Sequence, residues 1–119
     1  MAWEFDSATP LYAQLASRVR ADIVCGVYKK GDKLPAVREL ALAASVNPNT
    51  MQRALAELEA RGLLETQRTA GRTVTSDTEK LAQARQSLAR KLVHDFYRQA
   101  AALGLTKAEL TALLEQEEG

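Results

Sequence analysis

The chain has few of the residues that form metal, redox or nucleophilic sites. Among its 119 residues there is one cysteine, Cys25, and one histidine, His94. A structural zinc site takes four Cys or His ligands and a disulfide takes two cysteines, so this sequence completes neither. We predict no bound metal and no cofactor, with Cys25 acting as a partly buried small hydrophobe and His94 as a surface or packing residue.

Long apolar runs are absent as well. No stretch approaches the roughly 18 consecutive apolar residues that cross a membrane, and no secretory signal is present. We therefore expect a cytoplasmic protein that does not contact membranes. The chain also shows no Ser-His-Asp set, no glycine-rich phosphate loop and no paired-carboxylate pocket. These absences predict that it is not an enzyme.

No charge of either sign dominates. Lys and Arg number 16 against 15 Asp and Glu, which gives a net charge of +1. A balance this close to zero excludes nucleic-acid binding through bulk positive charge. Any DNA contact must come from the placement of particular cations, with weak non-specific binding.

The segment Leu34–Thr75 has the order of a winged helix-turn-helix. Residues 34–40 open a short amphipathic helix, and Ser-Val-Asn-Pro at 45–48 forms a sharp corner before a second helix. Two runs rich in strand-forming residues follow, on either side of a turn at residues 69–71. Helix, tight turn, helix and hairpin predict a DNA-binding domain, in a fold that is mainly α with a small β-hairpin.

The second of these helices carries the predicted base contacts. Asn47 suits its N-cap and Pro48 its first position. At about 100° per residue, one side is apolar and is expected to face the core: Met51, Ala54, Leu55 and Leu58. The opposite side is polar except for one small residue: Asn49, Gln52, Arg53 and Ala56. Arginine can bind guanine or phosphate, and Asn or Gln can recognise adenine, whereas the alternative is a merely solvated face.

Three arginines outside this helix extend the predicted surface. Arg38 lies on the preceding helix, away from its apolar companions, and Arg68 and Arg72 flank Gly71 in the hairpin. We predict phosphate or minor-groove contacts for these cations and a close backbone approach at Gly71. The alternatives are a surface ion pair of Arg38 with a neighbouring acid, such as Glu39 or Asp32, and an ordinary hairpin with solvated arginines.

These residues resemble the GntR family of bacterial transcription regulators. The similarity runs from about Pro10 to Val74 through motifs in matching order: 10–15, 31–35, 37–40, 46–50, 53–55 and 58–63. The resemblance implies DNA contacts from the helix-turn-helix and from the wing, which is the hairpin. The complete set of predicted DNA-binding residues is Arg38, Asn47, Asn49, Thr50, Gln52, Arg53, Arg68, Gly71 and Arg72.

Two positions depart from the family pattern. Ala36 stands where a serine is common, which removes a hydroxyl that could bind phosphate. Thr69 stands where the wing usually has a first glycine, so the wing tip is expected to be stiffer or to sit differently in the minor groove.

The sequence divides into a DNA-binding domain at 1–76 and a tail of two helices at 77–119. A helix that starts at Thr9-Pro10 should bury an apolar stripe in the domain: Leu11, Leu15, Val19 and Ile23. Gly104 should end the first tail helix, and Thr106 with Glu109 forms a capping-box pattern for the second. Apolar residues recur at three- and four-residue steps, and two short helices cannot bury them alone. They must pack on a second chain or, alternatively, on the first domain. The predicted dimerisation residues are Leu81, Leu88, Leu92, Phe96, Leu103, Leu110 and Leu113.

This short tail resembles the YtrA-like branch of the GntR family, where it implies dimerisation. We therefore predict a homodimeric regulator that binds a near-palindromic operator in double-stranded DNA, with repression as the default. The resemblance also implies control of a transporter operon. An unidentified small-molecule effector is left open at the dimer interface, because the tail looks too small for a deep pocket of about 300 Å³ or more. The competing hypothesis is a protein-interaction module whose outer helix face never meets DNA.

Overall fold

The computed structural model describes residues 3–69 and 71–119, so Ala70 at the predicted wing tip lies outside the described residues. The described chain is mainly helical with one antiparallel hairpin, as predicted. Its elements are, in order, α1 (Leu11–Val24), α2 (Val37–Ala44), α3 (Pro48–Ala60), β1 (Leu64–Gln67), β2 (Gly71–Val74), α4 (Thr78–Ala102) and α5 (Lys107–Glu115).

The chain forms two compact units, Met1–Arg85 and Gln86–Gly119. This division lies nine residues beyond the boundary expected from the sequence. The reason is that the first turns of α4 belong to the first unit, where Leu81 and Ala84 pack against its core. Leu81, predicted to contribute to dimerisation, is half-buried in this position.

The core of the first unit joins α1, α2, α3 and the hairpin. Leu15, Met51 and Leu58 are fully buried within it. The apolar stripe predicted on α1 is buried from Leu15 onward, but Leu11 is 37% exposed. Leu11 is the first residue of its helix, one turn beyond the packed core, so its prediction as a buried residue was wrong.

A left-handed residue makes the corner between α2 and α3. Ser45 has a φ of 57°, and the Val46 amide then donates to the Ala41 carbonyl at 3.0 Å. Asn47 follows as the N-cap of α3, and its side chain accepts from the Asn49 amide. The predicted corner and helix start are confirmed.

The hairpin is extended on one side by the segment before α2. Leu64 pairs with Val74 and Thr66 with Arg72 across the two strands. A further bridge joins Lys33 to Thr73, and the Leu34 amide donates to the Arg72 carbonyl at 2.9 Å. The wing is therefore fixed along β2 to the chain that leads into α2.

The second unit holds the rest of α4 and all of α5. Gly104 ends α4 with a φ of 86°, and Thr106 and Glu109 form the predicted capping box at α5. Ala100 is buried, whereas most apolar residues of this unit stay exposed. Among the described residues, no helix combines the length and the apolar character needed to cross a membrane.

Candidate nucleic-acid interface

The two sides of α3 differ in exposure as its sequence predicts. Its apolar side is buried in the first unit at four residues: Met51, Ala54, Leu55 and Leu58. Its opposite side is exposed at four others: Asn49, Gln52, Arg53 and Ala56. Thr50 is half-buried between the two sides. The helix is therefore held by its apolar side and presents amides and a guanidinium to solvent.

Asn47 is the N-cap of α3. Its Oδ1 accepts a hydrogen bond from the Asn49 backbone amide at 2.8 Å, which satisfies one of the amides that a helix start leaves unpaired. The side chain stays exposed. Its side-chain NH₂ remains available to donate to DNA.

Arg53 stacks on an aromatic ring from α1. The carbon at the centre of its guanidinium lies 3.7 Å from the centroid of the Tyr12 ring. Such stacking fixes the plane of the guanidinium while leaving its edge N–H groups available. Tyr12 thus positions Arg53, a role that the sequence analysis did not assign to it.

Arg72 is tied into the protein rather than pointing freely outward. Its Nε donates to Glu59 Oε1 at 3.1 Å and its Nη1 donates to Gln52 Oε1 at 3.0 Å. The side chain is 16% exposed. Thr66 Oγ1 donates to the second oxygen of Glu59 at 2.7 Å. These four residues form a network, hereafter the wing–helix clamp, that joins both strands of the hairpin to α3.

Glu59 carries the negative charge of this clamp. The hydrogen bond from Thr66, followed by the hydrogen bond from Arg72, lowers the pKa of the Glu59 carboxyl below its ordinary value, while desolvation opposes them. Both donors favour the ionised carboxylate. Glu59 therefore stays charged at neutral pH and offsets the charge of Arg72.

The remaining predicted cations are exposed. None of the ion pairs within residues 3–69 and 71–119 involves Arg38 or Arg68. Asp32, one candidate partner for Arg38, instead accepts from the Lys29 amide at 2.8 Å. Both arginines can therefore meet an anion without first breaking an ion pair in this part of the chain.

Gly71 begins β2 with a φ of 73°, a conformation that favours glycine. A Cβ built there would lie 3.9 Å from Lys33 Cε. Lys33 therefore adds an exposed cation beside the wing. Lys33 could not be predicted there from local spacing, because it lies 40 residues before Thr73 and only the strand bridge brings the two together.

Glu59, Thr66, Tyr12 and Lys33 are the residues that sequence reasoning missed. Glu59 and Thr66 could have been found from the sequence pattern. Gln52 and Glu59 are seven residues apart and so share one side of α3, and the hairpin register places Thr66 opposite Arg72. The contact between Tyr12 and Arg53 could not be predicted from the sequence, because the two residues lie on different helices that are far apart in the chain.

The second unit presents an apolar surface of its own. Several large apolar side chains are exposed, including Leu92 at 71% and Leu103 at 82%. An open groove of about 880 Å³ lies along α4 and α5, and another of about 410 Å³ shares Phe96, Leu110 and Leu114 with it. Both are open grooves rather than a deep pocket, so the expectation that the tail holds no deep ligand pocket stays a prediction.

The single cysteine and the single histidine lie outside the proposed DNA surface. Cys25 is exposed rather than partly buried, because it follows the last residue of α1 and its Sγ donates to the Asp22 carbonyl at 3.7 Å. His94 is an exposed residue of α4, next to the apolar surface.

Comparison with known proteins gives a consistent family match. The model of the bacterial regulatory proteins of the gntR family matches residues 11–74. The HTH-type transcriptional regulator YhcF of Bacillus subtilis is 38% identical over 107 residues, which are 90% of this chain and 88% of YhcF. The HTH-type transcriptional repressor YtrA of the same organism is 41% identical over 73 residues, which are 61% of this chain and 56% of YtrA.

Solved structures agree with that match. A GntR family transcriptional regulator from Listeria monocytogenes has a TM-score of 0.83 at 38% identity, covering 96% of this chain and 100% of that one. The DNA-binding domain of AraR in complex with operator ORX1 has a TM-score of 0.57 at 26% identity, covering 63% of this chain and 99% of that one. These homologues are transcription regulators, a class without enzymatic activity.

Proposed function

Because the chain belongs to the GntR family of bacterial regulatory proteins, we propose that it represses transcription by binding a near-palindromic operator as a homodimer. The observation that carries this proposal is the outer side of α3. It presents Asn49, Gln52 and Arg53 to solvent, while the apolar side is fixed in the core. A helix held in this way can enter the major groove without rearranging the domain.

The cations around α3 support DNA as the partner. Arg38 is exposed on α2, and Arg68 and Lys33 are exposed at the wing. We assign phosphate contacts to these residues and base contacts to Asn49, Gln52 and Arg53. Thr50, Asn47 and the Gly71 backbone complete the proposed surface. The AraR domain, similar in fold, binds an operator, which supports the same class of partner here.

The second unit supports a homodimer. Leu92, Phe96 and Leu113 are 71%, 47% and 50% exposed on neighbouring helices. Leu88 and Leu110 are half-buried beside them, and Leu103 is also exposed. A monomer rarely exposes so much contiguous apolar surface, and a second copy of the same unit would bury it in a two-fold interface. Two recognition helices would then meet successive major grooves.

Repression follows from steric reasoning and from the relatives. A dimer on an operator near a promoter excludes polymerase, and YtrA, similar over 61% of this chain, is a repressor. We further propose that it controls a transporter operon, acts in the cytoplasm where the DNA lies, and takes any small-molecule effector in the apolar grooves of the second unit. Each is a proposal that the operator sequence and its downstream genes will test.

Fluorescence anisotropy tests the DNA proposal. Wild-type protein is titrated onto labelled duplex from upstream of its own gene and onto a scrambled duplex, each at two salt concentrations. Arg53→Ala should weaken specific binding about tenfold, because one good bidentate base contact contributes roughly 1 to 3 kcal/mol. Arg85→Ala, which removes an exposed arginine from α4, is the matched control and should bind as wild type does.

Circular dichroism melting accompanies both variants, because Arg53→Ala also removes the stacking on Tyr12. Equal affinity of wild type and Arg53→Ala would contradict the assigned base contacts. If a random-duplex selection also returned no motif, the outer side of α3 would be a surface for another protein.

A further inference from the structure

The wing–helix clamp fixes the orientation of one amide on the proposed DNA surface. Gln52 Oε1 accepts from Arg72 Nη1 at 3.0 Å. A guanidinium can only donate, so the oxygen of Gln52, and not its nitrogen, must face Arg72. The assignment of the two ends of this amide therefore follows from chemistry rather than from their nearly identical shapes.

Arg72 is itself held from its other side. Its Nε is bound to Glu59 Oε1 at 3.1 Å, and the hydroxyl of Thr66 holds the other carboxylate oxygen at 2.7 Å. Thr66 and Arg72 are register partners across the hairpin. The guanidinium thus has two fixed acceptors, Glu59 and Gln52, on the same side of α3, and it spans the helix surface between them.

This arrangement decides what Gln52 offers to DNA. Gln52 is exposed, and with its oxygen bound to Arg72 the end of the amide left for DNA is the nitrogen, which carries two N–H donors. Bidentate recognition of adenine needs one amide oxygen to accept from N6 while the nitrogen donates to N7. Guanine instead presents two acceptors, O6 and N7, in the major groove.

We infer that Gln52 selects guanine rather than adenine, and that Arg72 is a positioning residue that enforces this choice instead of binding phosphate. The inference rests on the proposed function, because it assumes that α3 enters the major groove. Glu59 and Thr66 are positioning residues as well, because they hold Arg72 in place.

The test uses full-length protein and four versions of its operator that differ at a single base pair. The base pair that Gln52 contacts is identified first. It is the position at which the Gln52→Ala protein no longer distinguishes the four base pairs, although the wild type does. Wild type should bind the guanine version about tenfold or more tightly than the adenine version. Arg72→Met, which keeps an apolar stem but removes every donor, should bring this ratio to about one or reverse it.

Salt dependence separates positioning from phosphate binding. Loss of one phosphate contact lowers the slope of log affinity against log salt by about 0.9. Arg72→Met should keep the wild-type slope, whereas Arg68→Met, the matched wing control, should lower it and leave the guanine preference intact. Glu59→Gln weakens the clamp without touching Gln52, so it should reduce the guanine preference even if Arg72→Met proves unstable.

Two results would overturn the inference while leaving the proposed function in place. One is an adenine preference of the wild type at the Gln52 position. The other is an Arg72→Met protein that keeps its guanine preference and loses salt slope. Absence of any sequence-dependent binding by the wild type would instead contradict the proposed function itself and the inference with it.

Discussion

The first unit buries a core of large apolar side chains, whereas the second leaves many of its own exposed. Leu15, Met51 and Leu58 are 0% exposed in the first unit, but Leu92 and Leu103 are 71% and 82% exposed in the second. Both units contain regular helices with well-formed ends. Helix formation and burial are therefore separate requirements. The first unit meets both within one chain, and we propose that the second meets the burial requirement through a second copy.

Core truncation should show the largest difference between the units. Leu58→Ala should lower the free energy of unfolding of the first unit by about 3 kcal/mol, because it leaves a cavity in a closed core. Leu92→Ala is the matched substitution in the second unit. At concentrations low enough to dissociate a dimer it should cost less than about 0.5 kcal/mol. Urea unfolding at several protein concentrations measures both free energies. Equal losses in the two variants would contradict the proposed difference between the units.

Truncation of the exposed apolar surface should act on association instead. Phe96→Ala should raise the dimer dissociation constant about thirtyfold, the effect of losing one interface anchor of about 2 kcal/mol. Phe5→Ala, which alters a similarly exposed ring in the first unit, is the control and should leave the constant unchanged. Sedimentation equilibrium gives the constants. A wild type that stays monomeric at high concentration would refute the proposed interface.

Two helices, one in each unit, end on left-handed residues of different types. Gly104 ends α4 in a left-handed conformation that suits glycine, whereas Ser45 adopts a left-handed φ of 57° after α2. Gly104→Ala should cost about 1 kcal/mol, and Ser45→Gly should add about 0.5 kcal/mol of stability, because a Cβ is strained in this conformation. Ser87→Gly, inside α4, is the control and should destabilise. Thermal melts that show Ser45→Gly destabilising would contradict the assigned conformation.

The smallest predicted effect concerns acid stability of the wing–helix clamp. Because the folded-state pKa of Glu59 lies below its ordinary value of 4.5, its ionised form stabilises the fold above that pH. The contribution is lost as pH falls through the lowered folded-state pKa. Glu59→Gln should cost about 0.5 kcal/mol near neutral pH, as expected for a partly exposed ion pair, and less in acid.

Urea midpoints at pH 7 and pH 3.5 measure this difference. Glu65→Gln, which changes an exposed carboxylate on β1, serves as the control and should cost less than Glu59→Gln at pH 7. A Glu59→Gln penalty that grows in acid would mean that the carboxylate is not stabilised in the fold.

The sequence predicted the helix-turn-helix well because its signals are local. Its predictions were the apolar side of α3, the Asn-Pro start of that helix, the sharp corner before it and the capping box of α5. Each depends on residues within a few positions of one another. Contacts between distant elements were not predictable in this way. Arg72 looked like a free cation, and only the placement of the hairpin against α3 shows Gln52 and Glu59 as its partners.

The division at residue 85 and the packing of Leu81 differ from expectation for a related reason. The apolar pattern of α4 continues without interruption across residue 85, so nothing in its periodicity distinguishes side chains that pack on the first unit from those left exposed. One helix serves two purposes along its length. The DNA-contacting residues themselves stay a prediction that binding experiments must test.

Selection of duplexes from a random library by the wild-type protein tests the central claim most directly, because it reports both DNA recognition and pairing. A dimer that places two α3 helices in successive major grooves should enrich an inverted repeat with half-site centres about 10 base pairs apart. Native mass spectrometry of the protein with the most enriched duplex should then show two protein chains bound to it. A single unrepeated motif with one chain per duplex, or no enriched motif, would contradict the account.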